Sequence, residues 1–520
     1  MSDAAAASLI VSPKSVISNP DPADLKIMVG EMPNARLTEF GNYNVETEVV
    51  ARSTGSTYIV TDDPDSHSGQ CITREKGERI ARLQDEYIKN SEMIVIDGYI
   101  GGDPSTRTSA RLIIERRNAN IAAMQQQLYF TPTAEELAHF EPELQVIYTP
   151  NLGADGYPNN RVIAVDLQNN VTRVLNSDYF GESKKGGLRM WNRLVYEEGG
   201  LSLHAGCKII PVNGTHRVVL VVGLSGTGKT TTTFTRQNNS CPLQDDFVSM
   251  HPDGRISSTE NGCFAKTFGL DARYEPIIHQ AVIQPTSYLE NVSMNADGKV
   301  DFFDDTYTQN GRATFGFDQV EAAGDIYHIP KADFLLILNR NDNIIPAVAR
   351  LTRAQAAAFF MLGETMGTSA GGAAEEGKAL RVPGTNPFFP LLHGHQGTRI
   401  LELLQKIPMD VFLMNTGWVG GPDGTEGSRK VKIPHSSAIV KGIAEGTIQW
   451  TRDKDFGYEI ATHVPGIDSS DECILRPKSY YEEMGKSDKY DAFVTRLKSD
   501  RRTHLLSFDG LRQEIVDAVS

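Results

Sequence analysis

A chain of 520 residues is longer than one small hydrophobic core serves, so two or three domains are expected. Hydrophobic residues make up 40% and charged residues 22%, a globular balance, and no apolar run approaches the roughly 18 residues of a membrane span. The formal charge of −15 speaks against nucleic acid as a partner, since its binders carry a basic field, and any anion site must therefore be a local cluster of cations.

From the N-terminus, residues 1–25 lack both a basic segment and a sustained apolar run, so they are expected to be a disordered lead-in and not a secretory signal. Over residues 26–199 helix and strand signals alternate. Glu92-Met-Ile-Val-Ile-Asp97 and Leu144-Gln-Val-Ile-Tyr148 are strand candidates, and Thr133-Ala-Glu-Glu136 forms a capping box before a short helix. This part reads as a mixed α/β domain that ends at the Gly199-Gly200 pair.

Residues 200–520 read as a second domain. Asn213-Gly214, Asp253-Gly254 and Asp297-Gly298 are hairpin turns, so many of its strands are antiparallel. Phe334-Leu-Leu-Ile-Leu338 and Val411-Phe-Leu-Met414 are buried strands that bracket a helix capped at Thr352-x-x-Gln355. The Gly/Ala/Ser-rich stretch around residues 364–382 cannot build a core, so it is a dispensable linker or a mobile lid, and its place inside the nucleotide domain favours the lid. The five cysteines (Cys71, Cys207, Cys241, Cys263, Cys473) are scattered and form no C-x-x-C pair, which suits reduced thiols in a cytoplasmic setting.

Gly223-Leu224-Ser225-Gly226-Thr227-Gly228-Lys229-Thr230 fits the phosphate-loop pattern G-x-x-x-x-G-K-[ST]. The β-branched run Arg217–Val222 precedes it and a helix can open at Thr230, the strand–loop–helix context that the pattern needs. Such a loop turns backbone N–H groups toward phosphate oxygens, Lys229 adds a point charge, and Thr230 offers a hydroxyl to Mg²⁺. Asp245-Asp246 falls where a further strand would end and suits a metal-binding carboxylate pair, although adjacent acids are common on solvated loops. Lys184-Lys185 and His204 are unremarkable one at a time.

Taken in order, Tyr179-Phe-Gly-Glu-Ser-Lys184-Lys185-Gly186, Leu203-His204, the phosphate loop and Asp245-Asp246 resemble the signature of ATP-dependent phosphoenolpyruvate carboxykinases. Arg52-Ser with Tyr58-Ile-Val, Asp103–Arg111, Asn261–Thr267, Leu289-Glu290-Asn291-Val292, Asn310-Gly-Arg312, Asn415-Thr-Gly-Trp418 and Val464–Asp468 fall in the same family order. The resemblance implies a two-lobed, mixed α/β phosphate-loop fold that converts oxaloacetate and ATP to phosphoenolpyruvate, CO₂ and ADP, with Mn²⁺ and Mg²⁺. It further implies Lys185, His204 and Asp246 as Mn²⁺ ligands, with Lys185 neutral because Lys184 and the metal oppose its protonation. Thr230 and Asp245 would serve Mg²⁺ at the nucleotide, and Lys184 the transferring phosphoryl group. Arg52 would clamp the substrate carboxylate, Arg312 would bridge phosphoryl and substrate oxygens, and Tyr179 and Ser225 would help place the enolate or CO₂. Glu290, Arg312, and Arg429 or Lys430 would join Gly223–Thr230 around the nucleotide. Small molecules are thus the expected partners of a monomer or homo-oligomer. The rival readings are a kinase of the same fold acting on another small carboxylic acid, and an ATP-binding sensor without turnover.

Three segments depart from the family pattern. Ser53-Thr-Gly-Ser-Thr-Tyr58 replaces Ser-Pro-Lys-Asp-Lys-Tyr and predicts weaker electrostatics on the substrate side. The loop Val419–Lys430 is longer than usual, and Thr385–His393 stands in place of a Ser/Ala/Cys-rich stretch.

Overall fold

Two eight-stranded sheets and a five-stranded sheet organise the chain in the computed structural model, which describes residues 11–224, 226–366 and 379–519. The first large sheet is ordered Ser15–Ser18, Glu92–Ile100, Thr108–Glu115, Leu144–Thr149, Val171–Leu175, Val162–Asp166, Thr57–Val60, Cys71–Ile72. Its strands are apolar on both faces because helices cover both. Ile94 and Ile96 face Leu188, Met190 and Trp191 of the helix Gly181–Glu197, whereas the alternate residues Met93 and Val95 join Ile88 of the helix Arg74–Ile88.

The second large sheet is ordered Cys241–Gln244, Ala205–Val212, Thr215–Val222, Phe334–Asn339, Asp410–Asn415, Val348–Leu351, Glu459–His463, Gln449–Arg452. Thr215–Val222, Phe334–Asn339 and Asp410–Asn415 run parallel at its centre, and the flanking pairs are antiparallel. Val218, Leu220, Leu335 and Leu413 pack on the helices Arg353–Leu362 and Gly394–Lys406; Val219, Val221, Leu336 and Met414 face the helix Ile433–Glu445. The expected Asn213-Gly214 turn closes the Ala205–Val212/Thr215–Val222 hairpin, both its residues having positive φ. The capping boxes at Thr133 and Thr352 are present.

The five-stranded sheet, Gly262–Lys266, Arg312–Gly316, Tyr288–Glu290, Tyr43–Val45, Ala35–Leu37, draws strands from both halves of the chain. Residues on either side of position 200 therefore share a hydrogen-bonded ladder beside the site.

The lead-in expected over residues 1–25 needs correction within its described part. Ser15–Ser18 is a strand in parallel register with Glu92–Val95, and the helix Pro22–Gly30 starts at Asp21, whose carboxylate caps the Asp24 N–H. The Asp21-Pro22 pair is a helix-start signal, while the strand depends on a partner far along the chain. Residues 1–10, Ser225 and most of the expected lid (367–378) lie outside the described residues.

Candidate active site

The strand Thr215–Val222 delivers the phosphate loop, which turns directly into the helix Lys229–Phe234. Gly226 and Gly228 have φ of +84° and +91°, a region that side chains rarely adopt, so the loop's path depends on glycine at both positions. A Cβ on Gly223 would lie 2.4 Å from Thr227 Oγ1, whose hydroxyl donates to the Leu224 carbonyl at 2.7 Å. Leu224, Gly226, Gly228, Lys229 and Thr230 line a cavity of about 410 Å³.

Across this cavity the strand Cys241–Gln244 ends, as expected, just before Asp245-Asp246. The Asp246 carboxylate gathers three sequence-remote partners: Lys229 Nζ at 2.5 Å and His204 Nε2 at 2.9 Å from Oδ1, and Lys184 Nζ at 2.8 Å from Oδ2. Against the cost of burial, Lys184, Lys229 and His204 hold this carboxyl well below the usual carboxylate range. Lys184 is buried and also contacts Glu260 Oε2 at 2.8 Å; against burial, Asp246 and Glu260 raise its pKa. Its charge is therefore engaged by two carboxylates in this structure.

His204 is oriented from behind. The Thr385 carbonyl, 2.8 Å from Nδ1, can only accept, so Nδ1 carries the proton. Burial and then the Lys229 charge lower the imidazole pKa, against the pull of Asp246, and in its neutral form the ring would turn its Nε2 lone pair toward a carboxylate oxygen. Two acceptors at 2.9 Å call for a proton or cation between them, so this donor set fits a metal ion. Asp245 also fits one: burial and the neighbouring Asp246 raise its pKa, and its buried Oδ1 has no hydrogen-bond partner among the described residues.

Lys185 lines the same cavity, with Arg52, Tyr179 and Arg312. Burial, reinforced by Arg52, Arg312 and Arg189 and opposed by Glu182, brings its pKa down to about 7. Burial comes first in this lowering and the guanidinium groups after it; Lys184, expected to act together with the metal, is held by Asp246 and Glu260. The Lys185 ammonium lies 5.1 Å from the Tyr179 ring centre and 5.8 Å from that of Phe388. Arg312 donates to Asn310 Oδ1 at 2.8 Å through Nη2 and lies over the Phe264 ring. Glu290 does not reach the cavity wall. It is fully buried opposite Arg312 in the strand pair, accepts the Phe180 N–H at 2.8 Å, and is raised by burial to about 8.

A second cavity of about 350 Å³ adjoins the first across Gly226 and Gly228. Of the two candidates on the long loop, Lys430 lines it and sits over the Trp418 ring; Arg429 is not on its wall.

Several site residues escaped the sequence. Glu260 holds Lys184; Glu182 Oε1 accepts the Ser53 N–H at 2.7 Å and so anchors the divergent segment after Arg52. Thr385 and Phe388, from the other divergent stretch, orient His204 and wall the cavity beside Lys185. Glu182 lies inside the Tyr179–Gly186 motif, and its place there was the available signal; the others become visible only through tertiary contact.

A family model described as phosphoenolpyruvate carboxykinase matches residues 14–470. The chain is 29% identical to phosphoenolpyruvate carboxykinase (ATP) 1 of Moorella thermoacetica, over 98% of this chain and 97% of that protein. Similar proteins include the phosphoenolpyruvate carboxykinases (ATP) of Caldanaerobacter subterraneus subsp. tengcongensis, 29% identical over 93% and 92% of the two chains, and of Mesorhizobium japonicum, 30% identical over 88% and 86%. Because the match runs through both large sheets and every element that borders the cavity, this chain belongs to the ATP-dependent phosphoenolpyruvate carboxykinase family.

Proposed function

We propose that this chain decarboxylates oxaloacetate and transfers the ATP γ-phosphoryl group to the resulting enolate oxygen, giving phosphoenolpyruvate, CO₂ and ADP. The observation that carries this reading is the convergence of Lys184, Lys229 and His204 on the Asp246 carboxylate, between a phosphate loop and a pocket of basic side chains.

Arg52 binds a substrate carboxylate from the N-terminal lobe, residues 26–199, and faces the nucleotide lobe, residues 200–520. Arg312, fixed by Asn310, holds the oxygen that attacks and the phosphoryl group that it meets. Lys229 leaves Asp246 for the β- and γ-phosphates when nucleotide enters, and Lys184 remains to hold the Asp246 carboxylate. His204, Asp246 and a neutral Lys185 would hold Mn²⁺, and Thr230 with Asp245 would hold Mg²⁺. These ions supply charge neutralisation and Lewis-acid polarisation of substrate and phosphate oxygens. Lys430 is the cation on the base side. No described helix is long and apolar enough to cross a membrane, and the cysteines are free, which supports a cytoplasmic protein.

Oxaloacetate-dependent release of ADP, with phosphoenolpyruvate identified as co-product, tests the reading. Phosphorylation of another keto or hydroxy acid in its place would establish the same-fold kinase, and ATP binding without turnover would establish the sensor.

A further inference from the structure

Residues 471–520 lie beyond the stretch that the family model matches, yet one of them is bonded into the wall of the first cavity. Arg501, on the helix Ser487–Leu506, is 1% exposed. Its Nε donates to Glu364 Oε1 at 3.0 Å and its Nη2 to Oε2 at 2.7 Å, a side-on fork. Arg381 Nη2 donates to Oε1 at 3.0 Å and Asn339 Nδ2 to Oε2 at 3.1 Å. Against burial, the two guanidinium groups hold the Glu364 carboxyl at about 2.

Glu364 and Arg381 face each other in a two-stranded ribbon, Glu364–Met366 with Ala379–Arg381, and their neighbours Thr365, Leu380 and Val382 line the cavity. The Val382 N–H donates to the Gly363 carbonyl at 3.2 Å, and the Thr385 N–H to the Val382 carbonyl at 2.9 Å. The Thr385 carbonyl is the acceptor that orients His204. A continuous run of bonds thus leads from the C-terminal helix to the imidazole.

Glu364 would be satisfied by Arg381 and Asn339 alone. A second, fully buried guanidinium adds a desolvation penalty, and a buried ion pair of this kind is weak support for stability as such. The fork on both carboxylate oxygens instead fixes where the ribbon stands. We propose that Arg501 is a positioning residue for the phosphoryl-transfer site: it sets the ribbon, and through Val382 and Thr385 the orientation of His204, without touching substrate. This rests on the reading of the cavity as the site of ATP-dependent chemistry.

Arg501→Met keeps the apolar stem and leaves Glu364 paired with Arg381, so no buried charge is stranded. It should lower kcat about tenfold while KM for ATP and oxaloacetate stay within about twofold. Arg501→Lys, a point charge in place of a fork, should recover part of the loss. Arg496→Met, on the exposed side of the same helix, should match the parent. Amide exchange over residues 379–385, read without substrate, should quicken in Arg501→Met and not in Arg496→Met.

Parental kcat in a folded Arg501→Met overturns the proposal, and so does a lower kcat with parental exchange, since the effect would then bypass the ribbon. Should Arg501→Met not fold, Arg501→Lys decides: parental kcat and exchange overturn the proposal. A parent protein that makes no phosphoenolpyruvate would refute the functional reading, while the exchange measurement still decides whether Arg501 sets the ribbon.

Discussion

Lys229 Nζ lies 2.5 Å from Asp246 Oδ1, so the lysine that the loop motif assigns to phosphate is latched to the carboxylate assigned to metal. An incoming triphosphate competes with Asp246 for that ammonium, because both offer anionic oxygens at hydrogen-bonding range. On the proposed reading, binding of nucleotide and exposure of the Asp246 oxygen to a cation would be linked in one side-chain movement.

Asp246→Asn should separate the two roles. The variant releases Lys229 for phosphate, so ATP affinity should be unchanged or tighter, whereas turnover should fall on the order of 10²–10³-fold with loss of this charge from the site. Lys184 keeps Glu260 as its partner, so no buried cation is stranded. Equilibrium nucleotide titration beside single-turnover assays reads both; weaker ATP binding with normal turnover would contradict the assignment.

Lys185 gives a pH signature. Its folded pKa of about 7 lies below the ordinary 10.5, so between these values the unfolded chain binds a proton that the folded chain lacks. Stability contributed by this group therefore rises with pH from about 7 to 10.5, and below about 7 its full burial cost is present. Lys185→Met should raise Tm by about 1–2 °C near pH 6.5, flatten that slope, and abolish turnover. In the parent, kcat/KM should fall as pH drops through about 7, where the neutral amine is lost. A parental slope of Tm against pH in Lys185→Met would rule out the buried, depressed amine.

The legible parts of this site were those written contiguously. Gly223–Thr230 declares itself because a phosphate loop needs glycine at the positive-φ positions 226 and 228, and Asp245-Asp246 follows a readable strand. Lys185 and His204 carried meaning only through the order of motifs around them. Glu260, Thr385 and Phe388 stayed silent because each acts through contacts with residues far away in sequence. Ser15–Ser18 failed for a similar reason: its four residues form a strand through pairing with Glu92–Val95, which local pattern does not announce.

On the base side the two neighbouring cations should behave differently. Lys430→Ala should raise the KM for ATP about 5–10-fold, the value of one exposed cation–π or charge-assisted contact, and leave that for oxaloacetate unchanged. Arg429→Ala should leave both near parental, since its side chain is off the cavity wall. Equal effects from the two substitutions would show that the long loop Val419–Lys430 acts as a whole and not through Lys430.

Arg52→Gln should produce two linked changes. Loss of a charge-assisted contact to the substrate carboxylate should raise the KM for oxaloacetate about 10–100-fold, with the KM for ATP little affected. The Arg52 charge also helps to depress Lys185, so its removal makes that amine easier to protonate. The acid limb of the kcat/KM profile should consequently move to higher pH. Glu182 still holds Ser53 through its backbone N–H, so the segment keeps its place and the shift reports charge, not a displaced loop. A pH profile of Arg52→Gln superimposable on the parent, or equal rises in both KM values, would show that Arg52 neither meets the substrate nor tunes Lys185.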